Sequence, residues 1–442
     1  MFTLKLTGRI VTPKDPDYNE ARTNINTNIP FYPKIIVFCQ CTTDVVNALL
    51  WAKENCIPFR IRSGRHSYEN FSLLNDGLVI DISEMNRIHV DTMESIASIE
   101  AGAELGDVYK KLWKHGQTIP AGTVANVGLV GLTLGGGIGY LTRVFGLTCD
   151  NLLEAEVVLA SGKVVTTNKH NHRDLFWALQ GGGGGNFGIV TNLTFQTHSI
   201  HNVSIFSIEW AWEDFECAYD TWQNWAPYTD CRLTSSIEMK ANRTIIAQGQ
   251  LVGSKEELLK LIQPLVKACK PCSIKIKNTS FINATRFFDD PAENEPAPFK
   301  RSGSFVQEPF PQEALSLMKR LLEKAPSENC AIWQQSLCGK AGCIEPEDTA
   351  FFYRDSIIAQ EYNATWSCHH ERRQNIRWVE SVRKSLGRYT NGDYVNWPDL
   401  FIQNWQTTYY GDNYKRLQEI KAKYDPDNIF RFPQSIMPST TL

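Results

Sequence analysis

Apolar residues fall at helical spacing in Thr42 to Cys56 (TTDVVNALLWAKENC). Val46, Leu49, Leu50 and Ala52 lie near one face, Thr43 or Asp44 can cap the start, and Pro58 ends the run. The spacing then shortens. Phe59–Arg62, Gly77–Ile82 and Ser98–Ala101 read as short strands, and Leu105–His115 as a helix closed by Gly116. Further on, Ala155–Ala160 and Lys163–Thr166 flank the turn Ser161-Gly162 as a hairpin. Asp174–Leu179 reads as a short helix and Gly188–Phe195 as an alternating strand. Helices and mixed strands in this order predict an α+β fold built from two subdomains over residues 1–200.

Near residue 200 the texture changes. Glycine runs stop and aromatic residues crowd in (Trp210, Trp212, Trp222, Trp225). Helical stretches at Lys255–Ala268, Glu313–Glu323 and Glu371–Leu386 alternate with strands such as Thr244–Val252. The pattern predicts a second α+β domain over residues 201–390, an antiparallel sheet flanked by helices. The final segment, 391–442, resembles neither half and is expected to return to the first domain.

Composition narrows the function. The chain has 442 residues, 42% hydrophobic, with a net charge of -3, so nothing recommends nucleic acid as a partner. No apolar run approaches the roughly 20 residues of a membrane helix. The opening Met-Phe-Thr-Leu-Lys-Leu-Thr-Gly-Arg-Ile has no apolar core of a signal peptide, so a cytoplasmic location is expected. The 12 cysteines are scattered, which predicts mostly free thiols. Cys269-Lys-Pro-Cys272 is the one CxxC; it follows a helical stretch and has no second pair, so no metal site is expected.

Two glycine clusters carry the first chemical signal, Gly131 to Gly139 and Gly181 to Gly188. Such loops let backbone N–H groups approach an anion, and a pyrophosphate is the natural guest. Neither has the spacing of a dinucleotide fingerprint or a P-loop. His66 lies just after a strand in Arg62-Ser-Gly-Arg-His-Ser-Tyr68, where Arg62 and Arg65 would favour a neutral imidazole. Cys149 follows the first cluster in Gly146-Leu-Thr-Cys-Asp-Asn151.

These segments, with Asp174-Leu-Phe-Trp-Ala-Leu-Gln-Gly-Gly-Gly-Gly-Gly-Asn-Phe-Gly-Ile-Val-Thr191 and Tyr424-Asp-Pro-Asp-Asn-Ile-Phe430, resemble the berberine bridge enzyme-like group of FAD-linked oxidases in the vanillyl-alcohol-oxidase superfamily. The resemblance implies a PCMH-type FAD-binding domain and FAD bonded at both His66 and Cys149. It implies a cofactor cradle made of Arg62, Ser63, Gly64, Arg65 and Ser67 around the histidine. The first glycine-rich segment would add Gly122, Thr123, Gly128, Gly131, Leu132, Thr133, Gly136, Gly137 and Gly139, the second Asn186, Gly188 and Val190, and the C-terminal segment Asn396. The second glycine of the family's Arg-x-Gly-Gly-His pattern is replaced here by Arg65, and the family's Gly-Gly-His run reads Val130-Gly131-Leu132.

By the same resemblance, hydride passes from a substrate C–H to the flavin while Tyr394, in Gly392-Asp-Tyr-Val-Asn-Trp397, takes the hydroxyl proton. Tyr353 and Asp355 stand as secondary partners on a strand over the flavin. Dioxygen is the implied acceptor, giving hydrogen peroxide. The implied substrate is a small alcohol, sugar or aromatic metabolite. Two other readings are a dehydrogenase with a different acceptor and a flavoprotein serving mainly in a bacterial coat or surface assembly.

Overall fold

The computed structural model describes residues 5–439; the first four residues of the N-terminal stretch and residues 440–442 lie outside it. Three sheets organise the chain. The first joins β1 (Arg9–Val11), β2 (Ile35–Phe38), β3 (Phe59–Arg62) and β4 (Leu78–Asp81) in the order β1-β2-β4-β3. Both β2 and β3 run parallel to β4, and β1 is antiparallel to β2. The helix Thr42–Glu54 forms where its periodicity predicts. It starts after an extended Cys41 with no side-chain cap, and Asp44 instead accepts from the Gln40 N–H at 3.0 Å.

The second sheet is antiparallel: β5 (Ile88–Asp91), β6 (Ile96–Glu100), β8 (Leu152–Val158), β9 (Val164–Asn168) and β10 (Ile189–Gln196), ordered β5-β6-β10-β8-β9. A small ribbon, β7 (Gln117–Thr118) with β11 (His198–Ser199), closes this half. The helices Thr42–Glu54, Leu105–Trp113 and Arg173–Leu179 share one apolar core with both sheets, including Leu49, Leu112, Leu175 and Phe195.

The third sheet has seven antiparallel strands: β12 (Asn202–Trp210), β13 (Leu233–Lys240), β14 (Thr244–Leu251), β15 (Ser273–Ser280), β16 (Phe299–Val306), β17 (Cys330–Ser336) and β18 (Ile358–Thr365), ordered β15-β12-β14-β13-β17-β18-β16. Strand side chains alternate between faces. Ile237, Met239, Ile332 and Tyr362 enter a second core with the helices Phe215–Trp225, Gln312–Glu323 and Arg372–Leu386. The intervening positions form the opposite face. There Glu238 lies opposite Trp333, and Trp333 opposite Glu361. The stretch 255–268 is not one helix: it divides into Lys255–Leu261 and Gln263–Ala268, because Pro264 has no N–H for a continuing ladder.

Past the helix Arg372–Leu386 the chain returns to the first half. Tyr409, Tyr410, Leu417 and Phe430 belong to the first core, and Asn186 accepts from the Ile436 N–H at 2.9 Å. No helix among the described residues is long and apolar enough to cross a membrane.

One close approach holds the site's two loops together. A Cβ on Gly64 would lie 2.1 Å from the Gly128 nitrogen, and one on Gly128 would lie 2.6 Å from the Gly64 nitrogen. The loop after β3 and the start of the first glycine-rich segment therefore touch backbone to backbone, which only glycine permits. Gly128→Ala is expected to lower the apparent melting temperature by several degrees, as overpacking of about 1–3 kcal/mol would. Gly387→Ala, whose Cβ would meet nothing within 4 Å, is the control expected to melt as the parent does.

Candidate active site

Between the first two sheets and the polar face of the third lies a cavity of about 510 Å³. One end is walled by the Ser63–Ser67 loop, by Gly128, Gly131 and Leu132, and by Gly183 to Gly185, with Arg60 and Arg431 beside them. The other end is the sheet face, with Glu238, Trp333, Gln335 and Glu361. A second, polar cavity of about 550 Å³ lies against the same Ser63–His66 loop and also touches Asn126 and Glu104.

The glycine end fits an FAD. A Cβ on Gly131 would meet nothing within 4 Å, and one on Gly184 nothing nearer than 3.8 Å, so bare backbone borders open space. Arg60 adds a buried Nε–H that no neighbour among the described residues satisfies. Bare backbone and cations on one wall of the cavity suit a pyrophosphate.

His66 is half-buried on the wall of both cavities. Its Nε2 lies 2.7 Å from Asn126 Oδ1. The amide's orientation is fixed because Asn126 Nδ2 donates to the Asn294 carbonyl at 2.9 Å, and a carbonyl can only accept. His66 therefore carries its proton on Nε2, and Nδ1 keeps a free lone pair. Burial, with a smaller contribution from the Arg301 charge, pulls the imidazole down to about 4. The arginines flanking it in sequence are not the cause. Arg62 is fully buried and paired with Asp81 at 2.5 Å, and it donates to the Ala21 carbonyl; it anchors the end of β3 and does not line the cavity. Arg65 lines the wall, but its guanidinium turns toward the Phe38 ring.

Cys149 departs from expectation. It is fully buried, its backbone N–H donates to the Gly136 carbonyl at 2.8 Å, and its Sγ faces Asp150 at 3.6 Å. It packs with Leu147, Ile138, Phe351 and Tyr394, and of these only Ile138 and Tyr394 line the cavity; Cys149 does not. Burial and the Asp150 carboxylate push its thiol up, away from the reactive thiolate.

Tyr394 does line the cavity, and its oxygen is doubly held. The Gly137 N–H and Asn396 Nδ2 each donate to it at 2.8 Å. Asn396 also donates to the Leu132 carbonyl at 2.9 Å, so it ties the C-terminal segment to the glycine-rich one. Burial raises the phenol, while these donors act in the opposite direction and favour its anion. Trp397 stands edge-to-face with Tyr394 at 5.1 Å and with Trp333 at 6.1 Å, an aromatic run from the phenol to the sheet.

The other expected residues divide clearly. Ser63, Gly64, Ser67, Gly122, Thr123, Gly128, Leu132, Gly188, Val190 and Asn396 reach the cavity, as does Asn186, whose Nδ2 also donates to the Gly182 carbonyl. Thr133, Gly136, Gly137 and Gly139 lie behind it; Thr133 donates to the Leu129 carbonyl, and Gly137 acts through Tyr394. Tyr353 and Asp355 are not on a strand and do not reach the cavity. Tyr353 donates to the Thr407 carbonyl at 3.0 Å, and Asp355 accepts from Gln307 near the surface.

Several wall residues escaped sequence reasoning: Asn126, Glu238, Arg301, Trp333 and Glu361. For Glu238 the signal was its place between Ile237 and Met239, which marks two faces without saying what covers either; Arg301, Trp333 and Glu361 have polar neighbours in their strands and gave no such signal. Glu361 is buried, accepts from Tyr68 Oη at 3.0 Å, and lies 3.5 Å from Arg301 Nη1. Burial outweighs the arginine and pushes its carboxyl up to about 7.

A glycine-bordered cradle, a neutral histidine with one free nitrogen and a buried phenol over the same cavity define a flavin-dependent oxidoreductase. Residues 33–168 match the model of an FAD binding domain, and residues 393–437 the model described as berberine and berberine like. The chain is 60% identical to the uncharacterized FAD-linked oxidoreductase YgaK of Bacillus subtilis, across 99% of this chain and 98% of that one. It is 29% identical to the chitooligosaccharide oxidase of Gibberella zeae over 95% of this chain and 90% of that one. Among solved structures, BBE-like 1 of Physcomitrella patens superposes with a TM-score of 0.93 at 27% identity, covering 99% of this chain and 98% of that one. The chain belongs to the berberine bridge enzyme-like family of FAD-linked oxidoreductases.

The burial of Cys149 is directly testable. In the native protein the exposed Cys343 and Cys368 should alkylate readily while Cys149 stays unmodified. After unfolding, Cys149 should alkylate as a free thiol; a Cys149 peptide carrying flavin instead would contradict its placement.

Proposed function

We propose that this protein oxidises a hydroxyl-bearing small molecule, using FAD bonded through His66 Nδ1 alone and dioxygen as the final acceptor. One observation carries the reading: His66, its Nε2–H committed to Asn126, offers a single unprotonated nitrogen beside the cavity that Tyr394 also faces. The second bond expected at Cys149 is left out, because that residue is fully buried against Asp150 and does not line the cavity. The names of relatives that oxidise sugars, such as the chitooligosaccharide oxidase, support an alcohol or sugar as substrate.

When bound, the flavin supplies the two-electron chemistry, taking hydride from a substrate C–H and passing electrons to dioxygen to give hydrogen peroxide. The chain's residues do the rest. The glycine end holds the phosphates, and the sheet face orients the substrate. Tyr394 takes the hydroxyl proton, its charge as a phenolate being met by the Gly137 and Asn396 donors, an arrangement akin to an oxyanion hole. Tyr394→Phe should retain flavin yet lose about 10²–10⁴-fold in kcat. A peroxide assay over sugars and alcohols tests the acceptor: substrate bleaching without peroxide means a dehydrogenase, and inertness throughout means a coat or structural role.

A second proton acceptor is favoured by one observation, the Glu361 carboxyl held near neutrality on the same wall. Its ionised, proton-accepting fraction grows as pH rises through about 7. If Glu361 is the base, kcat/KM should climb across that window, and Glu361→Gln should abolish the climb. A profile unchanged by the substitution leaves the role with Tyr394.

Attachment has its own pH signature. His66 is depressed, so its imidazole is neutral above about 4 and protonated below it. Reconstitution of flavin-free protein with FAD should therefore form the bond at mildly acidic and neutral pH and fail as pH falls through about 4. Loss of bonding already near pH ~6.5, the unperturbed histidine value, would contradict the assigned environment.

A further inference from the structure

We propose that Lys300 is the positioning residue that sets His66 against Tyr394 across the cavity, by holding the two stretches that carry them to one buried ammonium. The inference rests on the reading of His66 as the flavin attachment point and Tyr394 as the proton acceptor. Lys300 lies in β16, and its side chain is 5% exposed. Its Nζ donates to Glu69 Oε1 and to Asp399 Oδ1, each at 2.5 Å. Glu69 stands three residues after His66, and Asp399 five residues after Tyr394. Neither carboxylate pairs with another cation among the described residues. Burial works against the ammonium's charge, but Asp399 and Glu69 outweigh it and keep Lys300 charged. One charged group thus joins the third sheet, the loop after β3 and the C-terminal segment. None of the three residues lines the cavity, so their effect on the chemistry passes through the backbone they hold.

Both sides of the tie are stiff. On the His66 side, consecutive loop residues meet consecutive strand residues. Arg301 Nη1 donates to Tyr68 Oη at 3.2 Å, next to the bond between Lys300 and Glu69. Asn26 Nδ2 donates to the Tyr68 carbonyl at 2.6 Å, and Ser67 Oγ accepts from the Phe71 N–H at 3.0 Å. The loop cannot slide along β16 without breaking both charged contacts. On the Tyr394 side, Asp399 is fully buried and fixed at both main-chain groups. Its N–H donates to Tyr409 Oη at 3.0 Å, and its carbonyl accepts from Gln434 Nε2 at 2.8 Å. The Trp397 N–H donates to the Tyr394 carbonyl at 2.8 Å, so the path from the phenol to Asp399 includes a closed turn.

The cluster's chemistry argues for register rather than for stability alone. Two buried carboxylates share one ammonium, and Asp399 Oδ2 has no hydrogen-bond partner among the described residues. Well-packed apolar side chains of the same volume would stabilise the fold at least as well, because desolvation offsets the attraction between buried charges. What the charges add is direction, and fixing register is the best-attested use of buried ionic groups.

The test follows flavin incorporation, which needs no substrate. Flavin-free parent and variants are mixed with FAD, the appearance of acid-stable flavin is timed, and melting temperature and visible circular dichroism of the flavin are recorded on each loaded protein. A displacement of about 1 Å costs a reaction on the order of a hundredfold, so Lys300→Met is expected to slow bond formation about 10–100-fold. Glu69→Met is the second variant in case that one folds poorly, since it leaves Lys300 and Asp399 as a balanced pair; it should slow bond formation likewise. Asp399→Asn frees only the Tyr394 side, so it should bond flavin near the parent rate while changing the dichroism. Leu322→Ala, a core truncation in the helix Gln312–Glu323, should melt earlier yet bond flavin at the parent rate. Parent rates in both Lys300→Met and Glu69→Met overturn the inference, as does parent dichroism in Asp399→Asn. A loss shared equally with Leu322→Ala marks a purely structural role and also overturns it. A parent that forms no acid-stable bond removes the attachment reading and the inference with it. Slow bonding confined to Lys300→Met and Glu69→Met supports both.

Discussion

The hydrogen bond from His66 Nε2 to Asn126 Oδ1 governs the chemistry of this fold. It works because the amide is itself held: Asn126 Nδ2 donates to the Asn294 carbonyl, so the side chain cannot turn over and still satisfy both partners. One imidazole nitrogen is thereby committed to a proton and the other left nucleophilic. Burial keeps the ring neutral where an exposed histidine would be half-charged. The loop that carries His66 is seated by the backbone contact of Gly64 with Gly128, which also places Asn126 within reach.

A second latch completes the site from the far end of the chain. Tyr394 and Asn396 arrive after the seven-stranded sheet and fasten to the first glycine-rich segment through the Gly137 N–H and the Leu132 carbonyl. The glycine-rich walls, the Tyr394–Asn396 segment and the strand face of the third sheet thus come from three separate stretches that close on one cavity. Arg60, Arg431 and bare glycine backbone border one part of the cavity, and carboxylates, tryptophans and Arg301 the sheet face.

Much of the fold was legible because periodicity reports burial directly. The helix at Thr42–Glu54, the hairpin across Ser161-Gly162 and the strand at Ile189–Gln196 form where apolar spacing places them. Pro264, visible in the sequence, divides a helix that apolar spacing alone would run unbroken. The site was legible where a loop's own residues form the wall, as with Ser63 to Ser67 and Asn396. It was not legible where neighbours in sequence separate in space. Arg62 turns inward to Asp81, Cys149 is buried against Asp150, and Tyr353 donates to the Thr407 carbonyl. Nor could alternation within β13, β17 and β18 say which face would meet the cavity, so Glu238, Trp333 and Glu361 emerged only with the strand register.

A single flavin bond at the free nitrogen of His66 underlies the whole of the proposed chemistry. Acid-unfolded protein, digested and mapped by mass spectrometry, reads that bond without any assumption about substrate. The peptide containing His66 should carry the FAD mass increment, and the peptide containing Cys149 should be unmodified. A bare His66 peptide, or flavin found on Cys149, would contradict it.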